Sequence, residues 1–344
     1  MKIAIVTNAV PFIYGGAEFH ADALKDSLLH AGHDVEVIRI PFQWDPPELI
    51  LHQILAVRLM RLENVDRVIA MKFPAYYIQH PNKIIWLIHQ FRQAYDLWGT
   101  EHQRIPDTPA GVTVRRVIIQ ADNAFIPEAR KIFTNNPVVA ERLERYNQIL
   151  AEPLYPPPQD IAMFHEGGQG DYYFCPSRIN RSKRQSLMIE AMRYCKTDAR
   201  LVLVGPPDSP DDLNECQSLI HRYGLKDRVE LRGTFIPQEE KVQLFANALG
   251  CIFVPSNEDH GLVTLEAYQS CKPVITTSDS GGVLAFVEDN RSGRVVAPAA
   301  EALAEAMDDL FVARDKARSM GAAGLETVRR LNITWDNVVT KLTQ

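Results

Sequence analysis

The chain has 344 residues, 46% hydrophobic and 23% charged, with a formal net charge of -6. That is the balance of a soluble globular protein with length for two domains, and it argues against a nucleic-acid partner, which would call for a basic face. No apolar run approaches the roughly 20 residues of a membrane span, and five cysteines with no close pair fit a reduced, cytoplasmic protein and no C-x-x-C metal site. The opening MKIAIVTNAVPF is apolar for only a few residues, so it reads as a first strand (KIAIVT, 2–7) and not as a signal peptide. Residues 17–33 then have helical spacing. Phe19, Ala23, Leu24, Leu28 and Ala31 share a face, and Gly32 supplies the stop. DVEVIRI (34–40) is the next strand, so strand, glycine turn, helix and strand form a βαβ unit with parallel strands. A helix is expected over 48–62 and strands over 66–71 and 83–88. A strand near Ile132 follows, then a helix from about Pro137.

AEPLYPPPQD (151–160) carries four prolines and HEGGQGD (165–171) is glycine-rich. This junction separates an N-terminal domain, 1–157, from a C-terminal one, 158–330. The alternation then restarts. DYYFCP, ARLVLVG, RVELRG, LGCIFVP and KPVITT read as strands. Between them lie helices in RQSLMIEAMRY, near 213–223, in KVQLFANA (241–248) and in GLVTLEAYQS. Helical stretches at 299–313 and 315–331 and a final short helix in ITWDNVVTKLTQ close the chain. Each half is thus an α/β, Rossmann-like doubly wound domain. Two such domains facing each other would make a cleft, with ligands at the carboxyl ends of the strands.

Four stretches carry candidate chemistry. PSNEDHGLVTLEAYQSCKPV (255–274) places Glu258 in a polar turn and Gly261 at the mouth of a helix, with Glu266 inside that helix. The amides of Gly261, Leu262 and Val263 would hold an anion, most naturally a phosphate. The two carboxylates can accept hydroxyls of a sugar and a ribose on either side of it. The plainer alternative is a surface acid followed by a helix acid. PSRINRSKRQSLMIEAM (176–192) sets Arg178 and Lys183 at a strand end, facing an anion together; Arg181 and Arg184 crowd the same segment, and one of them could be the true partner. IYGGAEFH (13–20) has Gly15 and Gly16 after the first strand, which suits either a plain turn or close approach of a ligand; it is not a G-x-G-x-x-G fingerprint. In IIWLIHQFRQAYDLWG (84–99), His89 ends an apolar strand. Arg92, Tyr95 and Trp98 could line an acceptor side, whereas Trp86 is better read as core.

The EDHGLVTLEA segment with KPVITTSDSGG resembles the E-x7-E signature of the retaining glycosyltransferases of family 4, the glycosyl transferases group 1, which have the GT-B fold. The resemblance implies that Glu258 contacts the donor sugar and Glu266 the ribose, with the amides from Gly261 to Val263 on the distal phosphate. His260, counted with the donor-binding residues, stands where the family commonly has Phe or Tyr. The family's Arg-x4-Lys pair falls on Arg178 and Lys183, which would neutralise the diphosphate leaving group. Gly15 and Gly16 fall on its glycine loop, and His89 on a histidine near the reacting carbon, followed here by Gln90 rather than Asp or Asn. LRGTF (231–235) falls where backbone groups read the base, and residues 331–344 resemble the helix that returns to the N-terminal domain. Ala285 and Asn290 depart from the usual Glu and Gly of a supporting loop.

By this resemblance the protein transfers a sugar from a UDP-, GDP- or other nucleoside diphosphate sugar to a sugar, lipid-linked or small-molecule acceptor. It would need no metal and no cofactor, would retain the anomeric configuration, and would hinge near Pro153 to Pro158. Another GT-B enzyme, such as a nucleotide-sugar epimerase or a phosphorylase, and a non-catalytic nucleotide-binding protein are the alternatives. The helix at 48–62, with Arg58 and Arg61 beside apolar residues, could also rest on a membrane surface, although an ordinary packed helix is the plainer reading.

Overall fold

The computed structural model describes residues 1–12 and 15–344. The chain divides into two compact units, one of Met1–Gln159 with Thr334–Gln344 and one of Asp160–Ile333. The first unit runs β1 (Lys2–Ala9), α1 (Gly16–His30), β2 (Asp34–Pro41), α2 (Leu49–Leu59), β3 (Arg67–Lys72), β4 (Lys83–His89), α3 (Pro109–Phe125), β5 (Lys131–Thr134), α4 (Pro137–Asn147) and β6 (Glu152–Pro153). Its strands pair in parallel in the order β2-β1-β3-β4-β5-β6. The side chains obey the two-residue period of a sheet. Ile3, Ile5, Ile69 and Trp86 pack on one face with Leu24 and Leu28 of α1. Ala4, Val6, Val68 and Leu87 pack on the other with Ile50 and Ile54 of α2 and Ile118 of α3. Covering both faces is what makes these strands read as continuous apolar runs. Trp86 is core, as expected, and its Nε1 donates to Leu154 O at 2.8 Å.

Helix α1 ends where Gly32 predicts. Gly32 takes φ +82°, with its amide on Leu29 O at 3.0 Å and the His33 amide on Leu28 O at 3.1 Å, a Schellman closure. Its buried face is rotated from the expected one. Ala21, Ala23, Leu24 and Leu28 are buried, whereas Phe19 is 39% exposed and Ala31 is exposed. Helix α2 packs as an ordinary surface helix through Ile50, Ile54 and Val57, leaving Leu55 and Leu59 exposed. Arg58 is committed to Glu128 at 2.6 Å and to Tyr77 O at 3.1 Å.

The largest element without a counterpart in the sequence reading is α3. Thr108 caps it by accepting from the Gly111 amide at 3.2 Å, Pro109 opens it, and Val114, Ile118 and Ala121 form its buried stripe.

The second unit runs β7 (Tyr172–Pro176), α5 (Gln185–Ala191), β8 (Arg200–Val204), α6 (Pro210–Arg222), β9 (Val229–Arg232), α7 (Gln238–Asn247), β10 (Gly250–Ile252), α8 (Leu262–Gln269), β11 (Val274–Thr277), β12 (Gly293–Val296), α9 (Ala300–Val312) and α10 (Arg314–Arg330). Its strands are again all parallel, ordered β12-β11-β10-β7-β8-β9. The chain therefore builds outward from β7 to β9, then starts again on the other side of β7 at β10. Among the described residues, no helix is long and apolar enough to cross a membrane.

Candidate active site

In an open parallel sheet, the loops leaving two neighbouring strands diverge where the strand order reverses, and a crevice opens at their carboxyl ends. In the second unit that point lies between β7 and β10. The loop after β7 carries Arg178 and Lys183, and the loop after β10 carries Glu258 and Gly261. The two loops are tied together directly. The Ser256 amide donates to Ser182 O at 2.8 Å, and the Lys183 ammonium pairs with Glu258 Oε2. Asn180 shapes the first loop, its Oδ1 accepting from the Lys183 amide at 3.0 Å. Gln185, 2% exposed, braces it from below with bonds to Ser177 Oγ and Arg178 O, both at 2.9 Å.

Glu258 is fixed from beneath as well. Its carbonyl accepts from the Gly282 amide at 2.7 Å. Gly281 takes φ +62°, and a Cβ there would stand 2.5 Å from Glu258 O and 2.7 Å from Glu258 N. A glycine is therefore required for the loop after β11 to reach the Glu258 backbone. Arg184 clamps the same loop by two bonds to Asp279, at 2.8 and 2.6 Å, which hold the Asp279 carboxyl below its ordinary range.

Gly261 precedes α8 in the left-handed region, with φ +85°, and a Cβ would lie 2.7 Å from Val283 Cγ2. The amides of Leu262 and Val263 open the helix, where no intrahelical acceptor exists for them, while the Thr264 amide reaches Gly261 O at 2.9 Å. His260 is buried, its ring edge-on to Phe286 with centroids 5.4 Å apart, so its side chain belongs to the interior. Glu266 lies inside α8 with its side chain 8% exposed, and its Oε1 accepts from Lys241 Nζ of α7 at 2.7 Å. Arg178 turns to the other side of its loop. It donates to Asp208 Oδ1 at 2.8 Å, and Asn180 holds Asp208 Oδ2 at 2.9 Å.

In the first unit the corresponding reversal falls between β1 and β3. Asn8 Nδ2 bridges the two strand ends by donating to Phe73 O at 2.5 Å. Gly15 and Gly16 start α1 there; Ile13 and Tyr14 of the same motif lie outside the described residues. The Gly15 amide is taken by Glu18 Oε2 at 3.0 Å, and a Cβ at Gly16 would meet nothing within 4 Å. His89 closes β4, with Nδ1 2.6 Å from Gln90 O.

Of the residues expected beside His89, Tyr95 is interior. It is 5% exposed, with its hydroxyl on Asp122 Oδ2 at 2.6 Å, so it lines no surface. Arg92 pairs with Asp96 at 2.6 Å, and Trp98 lies under the Arg115 guanidinium at 4.9 Å.

The sequence reading does not include Asp208, Lys241 or Asp279 among its site residues. Gly281 stood within the SDSGG run, where paired glycines between a strand and a short helix mark a tight backbone approach. Asp279 lies in that same run, whereas Asp208 comes from the loop after β8 and Lys241 from α7, and neither of these two carries a local signal.

Residues 163–327 match the family model described as Glycosyl transferases group 1. A GDP-mannose-dependent alpha-(1-6)-phosphatidylinositol monomannoside mannosyltransferase of Mycobacterium tuberculosis is 31% identical over 188 residues, 51% of this chain and 47% of that protein. The chain spans about half the length of the curated relatives it matches. Among solved structures, a sucrose-phosphate synthase from Thermosynechococcus elongatus superposes with a TM-score of 0.77 at 18% identity, covering 100% of this chain and 98% of that one. HepE from Anabaena, solved in complex with UDP and glucose, superposes with a TM-score of 0.74 at 19% identity, covering 100% and 99%. At such identities the likeness carries the fold, which is GT-B.

Proposed function

We propose that the chain, which matches the glycosyl transferases group 1 model over residues 163–327, is a retaining transferase of the family 4 type that moves a sugar from a nucleoside diphosphate sugar to an acceptor hydroxyl. The observation that carries this reading is the Lys183–Glu258 pair at the strand reversal of the second unit, next to the opening amides of α8. Before the donor arrives, Lys183 and Glu258 neutralise each other. A diphosphate supplies stronger acceptors for the ammonium, and Glu258 is then released to accept from the sugar hydroxyls.

The bond between the anomeric carbon and the diphosphate breaks with its electron pair on the leaving oxygen. Lys183 and the amides of Gly261, Leu262 and Val263 stabilise that charge, joined by Arg178 once it exchanges Asp208 for the diphosphate, the role a metal plays elsewhere. The acceptor oxygen bonds to the anomeric carbon on the face just vacated, and its proton passes to the departing diphosphate. Glu266 takes the ribose, and His89, Gly15 and Gly16 keep the roles the resemblance implies. One relative is named for GDP-mannose and one neighbour was solved with UDP, so both nucleotides belong in the first screen. The acceptor is a sugar or lipid-linked hydroxyl. The five free cysteines support a reducing compartment, the cytoplasm.

The test is nucleoside diphosphate release from a panel of UDP-, GDP-, ADP-, CDP- and dTDP-sugars, in EDTA and without acceptor. One donor is cleaved slowly, the freed sugar appears first in the donor's own anomeric form, and Glu258→Ala lowers the rate by about 100-fold or more. A panel left intact, or an alanine variant as fast as the parent, overturns the reading.

A further inference from the structure

Lys241 lies outside the motifs that frame the site, yet it holds one of their carboxylates. It stands in the first half of α7, and its Nζ meets Glu266 Oε1 at 2.7 Å, with side-chain exposures of 22% and 8%. The ring of Phe164 flanks the same ammonium at 5.9 Å from its centroid, and Phe164 is itself buried against Phe245 at 6.0 Å. The ammonium is thus set between a carboxylate and an aromatic face on a helix other than that of Glu266.

Two physical needs meet at this contact. A carboxylate so little exposed is costly unless a cation accompanies it. A carboxylate one turn inside the helix whose first amides receive a diphosphate would also repel that anion unless its charge were offset. A lysine bound to one oxygen answers both needs and leaves the second oxygen of Glu266 as an oriented acceptor.

We propose that Lys241 is a positioning residue for the ribose of the donor nucleotide, holding Glu266 by Oε1 so that Oε2 accepts from the 2′-hydroxyl. This rests on the nucleotide-sugar reading of the site. A lysine that merely stabilised the fold would have no bearing on whether the sugar of the nucleotide carries that hydroxyl.

The experiment is calorimetric titration of UDP, GDP and their 2′-deoxy counterparts into the full chain and its Lys241→Met and Lys241→Arg variants, with melting curves for each. The parent binds the ribose form of its preferred nucleotide about tenfold or more tightly than the deoxy form, the worth of a hydrogen bond to a charged group. Lys241→Met brings the two forms close to parity, and Lys241→Arg keeps most of the preference. A methionine variant with the parental ratio overturns the inference, whatever its melting temperature; so does an arginine variant as indifferent as methionine. A parent that binds both forms equally removes the role of Lys241 and leaves the nucleotide site standing. A parent that binds neither nucleotide removes UDP and GDP as the nucleotides of the site, and this inference with them.

Discussion

Glu258 is held at both ends, its carboxylate by Lys183 and its backbone by the loop that Gly281 allows to come close. An alanine at 281 would keep a φ of +62°, at a cost of about 1–3 kcal/mol, or push the 257–258 backbone away. The Cβ contacts with the Glu258 backbone force the second outcome, which moves Glu258 off Lys183. Gly281→Ala should therefore lower donor cleavage nearly as far as Glu258→Ala, with a melting temperature only a few degrees down; parental turnover in that variant would show that the loop does not set the carboxylate. At this scale the sequence was most readable where one short segment holds all the parts. Glu258, Gly261 and Glu266 share a single loop and helix, and Arg178 and Lys183 share another. Their partners Asp208 and Lys241 were not readable, because each arrives from a loop or helix about 25–30 positions away. The two departures from the family pattern separate on the same ground. Asn290 adopts φ +59°, a conformation that asparagine tolerates in place of glycine. Ala285 simply ends a short 3-10 turn, Gly282–Ala285.

The α/β alternation could be read element by element because parallel strands covered on both faces appear as unbroken apolar runs between amphipathic helices. The helix α3 escaped that reading. Its stripe of Val114, Ile118 and Ala121 continues to Asp122, an acid where an apolar residue is expected. The structure supplies the reason. Asp122 is fully buried and accepts from three hydroxyls, Tyr76 at 2.9 Å, Tyr77 at 2.7 Å and Tyr95 at 2.6 Å. Burial outweighs these donors and pushes its carboxyl up to about 6 from an ordinary 3.8. A carboxyl raised on folding favours the folded state while protonated, fully so below about pH 4, and loses that contribution as pH rises through 6. The loss is on the order of 3 kcal/mol across the window. The parent should thus lose stability from pH 4 to pH 7 relative to Asp122→Asn, which melts lower at neutral pH for want of an acceptor. Denaturant midpoints of both proteins at the two pH values decide it. A constant difference between them would mean that Asp122 does not titrate there.

Over the whole chain, the second unit is the better-read half, since its family match spans residues 163–327, most of that unit. The first unit is completed by a long-range return of the end of the chain, Thr334–Gln344. Its closing helix, Trp335–Thr343, buries Val338 and Leu342 in the core shared with β1 and α1. The carbonyl of Leu342 accepts from Arg67 at 2.7 Å. The proposed function makes the molecule more than a pair of doubly wound units by assigning it a grip on a diphosphate at the reversal of the second sheet. The most direct test compares a nucleoside with its diphosphate, by calorimetry, for the parent chain and for Lys183→Gln. For uridine with UDP and guanosine with GDP, the parent should prefer the diphosphate of its own base by about 100-fold or more. Lys183→Gln should lose about tenfold or more of that preference, while its affinity for the bare nucleoside stays unchanged. A parent indifferent to the diphosphate, or a glutamine variant with the parental preference, would contradict the account.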